Sequence, residues 1–335
     1  MPTALVTGGA GFLGSHLVDR LLADGVSVRV LDNLSTGSLD NLRAAARSRP
    51  ADDAAASAAG SRLEVILGDI RDRTLVRRAL HRVRHVFHLA ALPPRGAALA
   101  DPAEFHTVNV QGTLNVLEAA LAEGAGRVVL ASCASVYGAP ADGTEREDGP
   151  VQPASLFAAS KLAGEMYARV FHTTHRLETV VLRYCTVYGP RQTPVDHSLT
   201  VAALIDALRR RRPVREADAA AVLDFTYVDD AVEATVAAAT AAAAAGQTIN
   251  VGSGETASVL AVLSTLRRLL GLPPGASPEP ASGPGGREPQ TSRAAELLGY
   301  VPRVSVASGL ARVVQALTAD LQSSYPALAE IGADE

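Results

Sequence analysis

At 335 residues the chain is long enough for one large domain or two modest ones around a sizeable core. With 47% hydrophobic but 4% aromatic residues and no Trp, that core must be filled by Ala, Val and Leu. The net charge of −4 gives no general attraction to nucleic acid or anionic membrane, and no apolar run approaches the ~20 residues of a membrane span.

No charged-then-apolar leader precedes the first strand. Two cysteines, Cys133 and Cys185, are too few for a disulfide framework, so a reducing cytoplasm is the expected location.

In chain order, residues 3–7 (TALVT) read as a short buried strand, followed by glycines and a helix from about Leu13 to Ala23. Strand-like runs recur at 26–31, 63–67, 85–89, 127–132 and 178–183, with helical patterns between them. Over 102–123, Val110, Leu114, Leu117 and Leu121 recur at helical spacing. This alternation, without hairpin signals, predicts an α/β fold: a doubly wound, Rossmann-type parallel sheet covered on both faces. Residues 43–61 read as a surface insertion and 271–290 as a Pro/Gly-rich loop. The arginines at 209–212 read as a solvated helix end, so neither nucleic acid nor membrane is expected as a partner.

The segment TGGAGFLGSHL (7–17) places Gly8, Gly11 and Gly14 between a strand and the mouth of a helix. The first glycine permits the tight turn, the second lets a pyrophosphate approach the backbone, and the third lets helix and strand pack closely. Asp32 follows the second strand at the place where an acid holds a ribose 2′-OH and repels a 2′-phosphate, which favours NAD over NADP. Arg43 and the insertion beside it leave NADP open. Asp69 and Ile70, after the third strand, are placed to meet adenine, with Asp69 as a helix N-cap the competing reading.

The segments TGGAGFLG, DNLSTG (32–37), GDI (68–70), HLAA (88–91), NVQGTLNVLEAA (109–120), SVYG (135–138), RYCTVYGPRQ (183–192) and DFTYVDD (224–230) follow one another in this order. Through them the chain, from about residue 3 to 315, resembles the extended short-chain dehydrogenases/reductases, the group of NAD-dependent nucleotide-sugar epimerases and dehydratases. It implies a Rossmann domain over 1–184, to which 225–250 returns, and a smaller C-terminal substrate-binding domain over 185–335. It also implies an NAD(P)H site drawn from Gly8, Gly11, Phe12, Leu13, Gly14, Asp32, Asn33, Ser35, Asp69 and Ile70. Leu89, Ala90, Ala91, Asn109, Lys161, Tyr184 and Val187 complete it. A homodimer is left open.

The family's chemistry uses a Tyr-x-x-x-Lys pair on a helix and a Ser or Thr four residues before the VYG tyrosine. The match gives Lys161 for the lysine, Phe157 for the tyrosine and Cys133 for the hydroxyl. Lys161 is the only lysine in a chain with 31 basic residues. Its ammonium suits a ribose diol better than a guanidinium fork does. Cys133 reads as a weak acid or as a small buried residue, and no metal site has credible ligand spacing. The family's pyrophosphate-binding Arg is Leu223 here and its RYFN asparagine is Thr186, so weak affinity for nucleotide sugars is expected. A 4,6-dehydratase needs an Asp-Glu pair where this chain has Ala134-Ser135.

With the phenol gone, the leading expectation is an NAD(P)H-dependent ketoreductase acting on a bulky small-molecule ketone. The substrate itself would supply the proton, Phe157 would shape the pocket, and Cys133 or Ser132 would polarise the carbonyl. The missing tyrosine is similar to that of the ketoreductase of simocyclinone (angucyclinone) biosynthesis. With an arginine- and alanine-rich composition that suggests a GC-rich gene, it points to aromatic polyketide tailoring in antibiotic biosynthesis. A divergent nucleotide-sugar epimerase or dehydratase and a non-catalytic NAD(H)-binding regulator are the alternatives.

Overall fold

Short apolar strands alternating with amphipathic helices set the architecture of the structure, a computed structural model that describes residues 3–43, 62–93, 101–138, 144–194, 199–214, 216–274 and 288–324. The strands are β1 (Thr3–Thr7), β2 (Ser27–Asp32), β3 (Leu63–Leu67), β4 (Val83–His88), β5 (Arg127–Cys133), β6 (Thr144–Glu145), β7 (Glu178–Tyr184), β8 (Thr186–Tyr188), β9 (Val222–Tyr227), β10 (Thr248–Val251), β11 (Thr256–Ser258) and β12 (Glu288–Pro289). The described helices of seven residues or more are α1 (Phe12–Ala23), α2 (Arg73–Leu80), α3 (Gly112–Ala122), α4 (Leu156–His175), α5 (Val201–Arg209), α6 (Val228–Thr240), α7 (Val259–Leu269), α8 (Ser292–Leu298) and α9 (Val306–Ser324).

Seven strands form one sheet in the order β10-β7-β5-β4-β1-β2-β3, every neighbouring pair parallel. Strands covered on both faces need apolar side chains at consecutive positions, and Ala4, Leu5 and Val6 of β1 are accordingly all buried. One apolar cluster joins α1 and α6 to one face, and the other joins α2, α3 and α4 to the opposite face. This is the doubly wound Rossmann-type fold expected from the sequence. From β1 the chain runs outward to β2 and β3, then returns to β4 on the other side of β1. That reversal opens a crevice at the carboxyl ends of β1 and β4, the usual ligand site of such sheets.

Strand ends differ from the sequence reading by a residue or two, as at 26–31, which runs Ser27–Asp32. The helical pattern over 102–123 is realised in three pieces: a turn at Pro102–Phe105, a π-helical stretch at His106–Gln111, and α3. The wider π turns carry Asn109 into the interior, where its side chain is 1% exposed. Beyond the main sheet, β8 pairs parallel with β9, β9 pairs antiparallel with β11, and β6 pairs with β12. Most of the expected insertion at 43–61 and of the loop at 271–290 lies outside the described residues.

Candidate active site

The crevice is built from β1 and α1 outward. Gly8 has φ +71° and donates its N–H to Leu31 O at 2.9 Å, turning the chain off β1. A Cβ on Gly14 would stand 2.1 Å from Gly8 O, so only glycine lets α1 begin this close to the strand. The α1 N-cap is Gly11, which gives the first turn no side-chain cap, and that turn carries no acidic residue. Free N–H groups and the positive end of the helix dipole therefore face the crevice.

A cavity of about 260 Å³ lies there, lined by Gly8, Gly11, Phe12, Leu13, Gly14, Asp32, Asn33, Ser35, Asp69, Ile70, Leu89, Ala90 and Ala91, all singled out in the sequence. Thr36, Arg71, Leu92, Glu104 and Val108 also line it and were not. Arg71 in fact sets the charge at this end. It grips the Asp69 carboxylate at 2.9 and 2.7 Å, while Asn33 donates to it at 2.8 Å. The Arg71 bonds hold Asp69 down at a pKa of about 2. Asp72, not Asp69, caps α2 by accepting from Thr74 and Leu75 N–H, so the N-cap reading of Asp69 does not hold. Asp32 is 8% exposed and accepts Ala10 N–H at 2.9 Å and Leu34 N–H at 2.8 Å, one on each oxygen. Each oxygen keeps a second lone pair.

The remaining candidates lie outside that cavity. Asn109 clamps α4 to the loop after β4: its Nδ2 donates to Ser160 Oγ at 2.9 Å and to Leu92 O, while its Oδ1 accepts Leu92 N–H at 2.7 Å. Tyr184 is buried and shares a 2.6 Å hydrogen bond with Thr235, so its side chain faces the core. Val187 packs against the larger apolar cluster. Ser132 donates its hydroxyl to Glu165, which also forms a 2.6 Å ion pair with Arg183, both side chains buried. The expectation that Ser132 polarises a substrate carbonyl is therefore corrected: its proton is committed to a carboxylate inside the fold.

Around Phe157 the chemistry is sparse. Its ring stands edge-on to Phe105 with centroids 6.4 Å apart. One helical turn later comes Lys161, 7% exposed, with no hydrogen bond and no ion pair among the described residues. Burial pushes its pKa below the ordinary value, opposed by the nearby Cys133 and Glu165. Cys133 ends β5 with Sγ 2.7 Å from Ser135 Oγ, and burial raises its pKa, so it remains a thiol.

His88 ends β4, the strand that pairs with β5. Thr113 donates to Asn109 O at 2.6 Å, so its oxygen must accept from His88 Nε2–H at 2.9 Å. His88 Nδ1 then accepts from Thr7 Oγ1 at 2.7 Å. Burial first, and then Lys161, pushes His88 down to a pKa of about 3. Leu223 pairs with Ala257 and packs partly buried against the apolar cluster, bringing no charge.

A glycine-cradled crevice with an acid at the end of β2 defines a site of the dinucleotide-binding class. Residues 4–252 match the NAD dependent epimerase/dehydratase family, and the chain belongs to that family. It is 38% identical to the UDP-glucose 4-epimerase of Mycolicibacterium smegmatis, over 93% of this chain and 97% of the relative. A UDP-glucose 4-epimerase from Thermotoga maritima, solved with UDP-glucose, superposes with a TM-score of 0.80 at 31% identity, covering 95% of this chain and 99% of that one. So does DesIV, a dTDP-glucose 4,6-dehydratase from Streptomyces venezuelae solved with NAD and TYD bound, with a TM-score of 0.80 at 33% identity, covering 96% and 98%.

These likenesses overturn the leading expectation. Relatives that match more than nine-tenths of this chain include UDP-glucose 4-epimerases and dTDP-glucose 4,6-dehydratases, which favours a nucleotide-sugar enzyme over a ketoreductase of polyketide tailoring like that of simocyclinone biosynthesis. Loss of one phenol and one arginine does not by itself change the substrate class.

Proposed function

We propose that the chain is an NAD-dependent enzyme that oxidises and re-reduces a nucleotide sugar, an epimerase rather than a dehydratase. The observation that carries it is Lys161: a buried cation without a partner among the described residues, on the helix beside a crevice that already supplies a glycine cradle. Burying an ammonium unpaired is costly, and a ribose diol offers the acceptors it lacks. Those features fit a dinucleotide. The α1 N-terminus and Gly11 would face the pyrophosphate, Asp32 the adenosine ribose, Asp69 and Ile70 the adenine, and Lys161 the nicotinamide ribose. Asp32 favours NAD over NADP. When bound, the dinucleotide accepts a hydride and can return it.

The full-length likeness to UDP-glucose 4-epimerases supports the substrate class. Ala134 and Ser135 lie in a short 3-10 helix after β5 and carry no carboxylate, which removes the acid pair that elimination of water needs and leaves epimerisation. To test this, NAD-loaded protein is incubated with UDP-glucose, UDP-galactose and dTDP-glucose while anomeric proton signals are followed. Interconversion of C4 epimers is expected. A 4-keto-6-deoxy product, or no conversion of any of the three, contradicts it.

A further inference from the structure

With Phe157 in place of the phenol, some other group must exchange the proton of the reacting hydroxyl. The structure accounts for nearly every candidate. Tyr137 OH donates to Asn250 Oδ1 at 2.6 Å, Tyr184 OH pairs with Thr235, and Tyr188 OH donates to Val306 O at 3.1 Å. No VYG tyrosine is free to substitute. Glu165 is held by Arg183 and Ser132. His88 has both ring nitrogens occupied by threonines. Cys133 is a thiol bonded to Ser135. Of the titratable groups named around Phe157 and Cys133, Lys161 alone makes no hydrogen bond or ion pair among the described residues, and it lies on the face of α4 that Phe157 occupies one turn earlier.

Resting on the epimerase reading, we propose that Lys161 is itself the proton-exchanging residue of this site, with Cys133 and Ser135 as neutral hydrogen-bonding groups beside the reacting oxygen. In the oxidising half, the substrate C–H bond breaks and its electron pair leaves as hydride to the dinucleotide. The O–H bond breaks and its proton goes to the Lys161 Nζ lone pair, leaving a carbonyl and an ammonium. In the reducing half, hydride returns to the carbonyl carbon and the ammonium returns its proton to oxygen. The groups facing Lys161 suit this role: the Cys133 thiol from β5, neutral His88 from β4, and Glu165 on its own helix, already neutralised by Arg183. Burial lowers the affinity of Nζ for the proton, so a neutral amine is reached below the ordinary lysine range.

Because Lys161 is the sole lysine, the full-length protein grown with lysine labelled at ¹³Cε gives one side-chain resonance, whose titration is followed without and with saturating NAD⁺. A midpoint clearly below the ordinary lysine value of 10.5 is expected; a midpoint at or above it overturns the proposal. Lys161→Arg keeps a permanent charge and the donors for a ribose but cannot accept a proton. It should hold NAD⁺ within about tenfold of wild type yet lose ~10²-fold or more in single-turnover hydride transfer, read as absorbance of the reduced cofactor. Retention of that rate also overturns the proposal. A lowered midpoint in a protein that acts on no nucleotide sugar would count against the epimerase reading while leaving Lys161 as the titrating group.

Discussion

Lys161 makes a burial cost visible in the pH dependence of stability. Its folded-state pKa is depressed, so between that value and 10.5 the folded chain binds fewer protons than the unfolded chain. Stability therefore rises with pH across that window, and below it the full penalty of the buried ammonium persists. Lys161→Met should raise the stability of cofactor-free protein at pH 7 by about 1.4 kcal/mol for each unit of depression, and the gain should vanish toward pH 10.5. Urea melts at the two pH values check this; a gain independent of pH would mean the lysine is not the cause. The sequence made Lys161 legible because it is the only lysine. It did not expose Glu165, because a glutamate four residues after a lysine on an amphipathic helix looks like an exposed i,i+4 pair. Only the fold shows that Glu165 instead meets Arg183 from β7, and that Ser132 therefore faces inward.

Elements carry the next set of consequences. The β1–α1 turn tolerates no side chain at its third glycine, so Gly14→Ala should abolish NAD⁺ binding in calorimetry or fail to fold, since its Cβ would meet the Gly8 carbonyl at 2.1 Å. The contact of α4 with β7 rests on a buried ion pair whose members cannot be separated cheaply. Glu165→Ala leaves Arg183 buried with its charge unmatched and should cost roughly 3–5 kcal/mol in a denaturant melt. On β9, Leu223→Arg restores a cation where the family meets a pyrophosphate. It should tighten UDP or dTDP binding about 10- to 100-fold, the worth of charge-assisted hydrogen bonds of roughly 1.5–3 kcal/mol; unchanged affinity would place the diphosphate elsewhere. The crevice end of these elements was legible, because glycine spacing and strand-end acids are local signals. Arg71 and Glu104 were not, since nothing in their own neighbourhoods says they line a cavity.

For the whole molecule, the parallel sheet could be read in advance because each strand-helix-strand unit carries its own periodicity. The pairing of β6 with β12 could not, since its two-residue strands, at 144–145 and 288–289, lie far apart in the chain and carry no local pattern. Function followed the same division. Single positions such as Phe157 and Leu223 argued against a nucleotide sugar, yet a proton acceptor can come from a residue one helical turn away, and likeness over 93% of the chain outweighs both. The most direct test is a thermal melt of NAD⁺-saturated protein with UDP, dTDP or buffer added. A nucleotide-sugar enzyme should be stabilised by UDP or dTDP, by ~2.7 kcal/mol when the nucleotide is present at ~100 times its Kd. A melt that NAD⁺ raises but neither UDP nor dTDP moves further would contradict a nucleotide-sugar substrate.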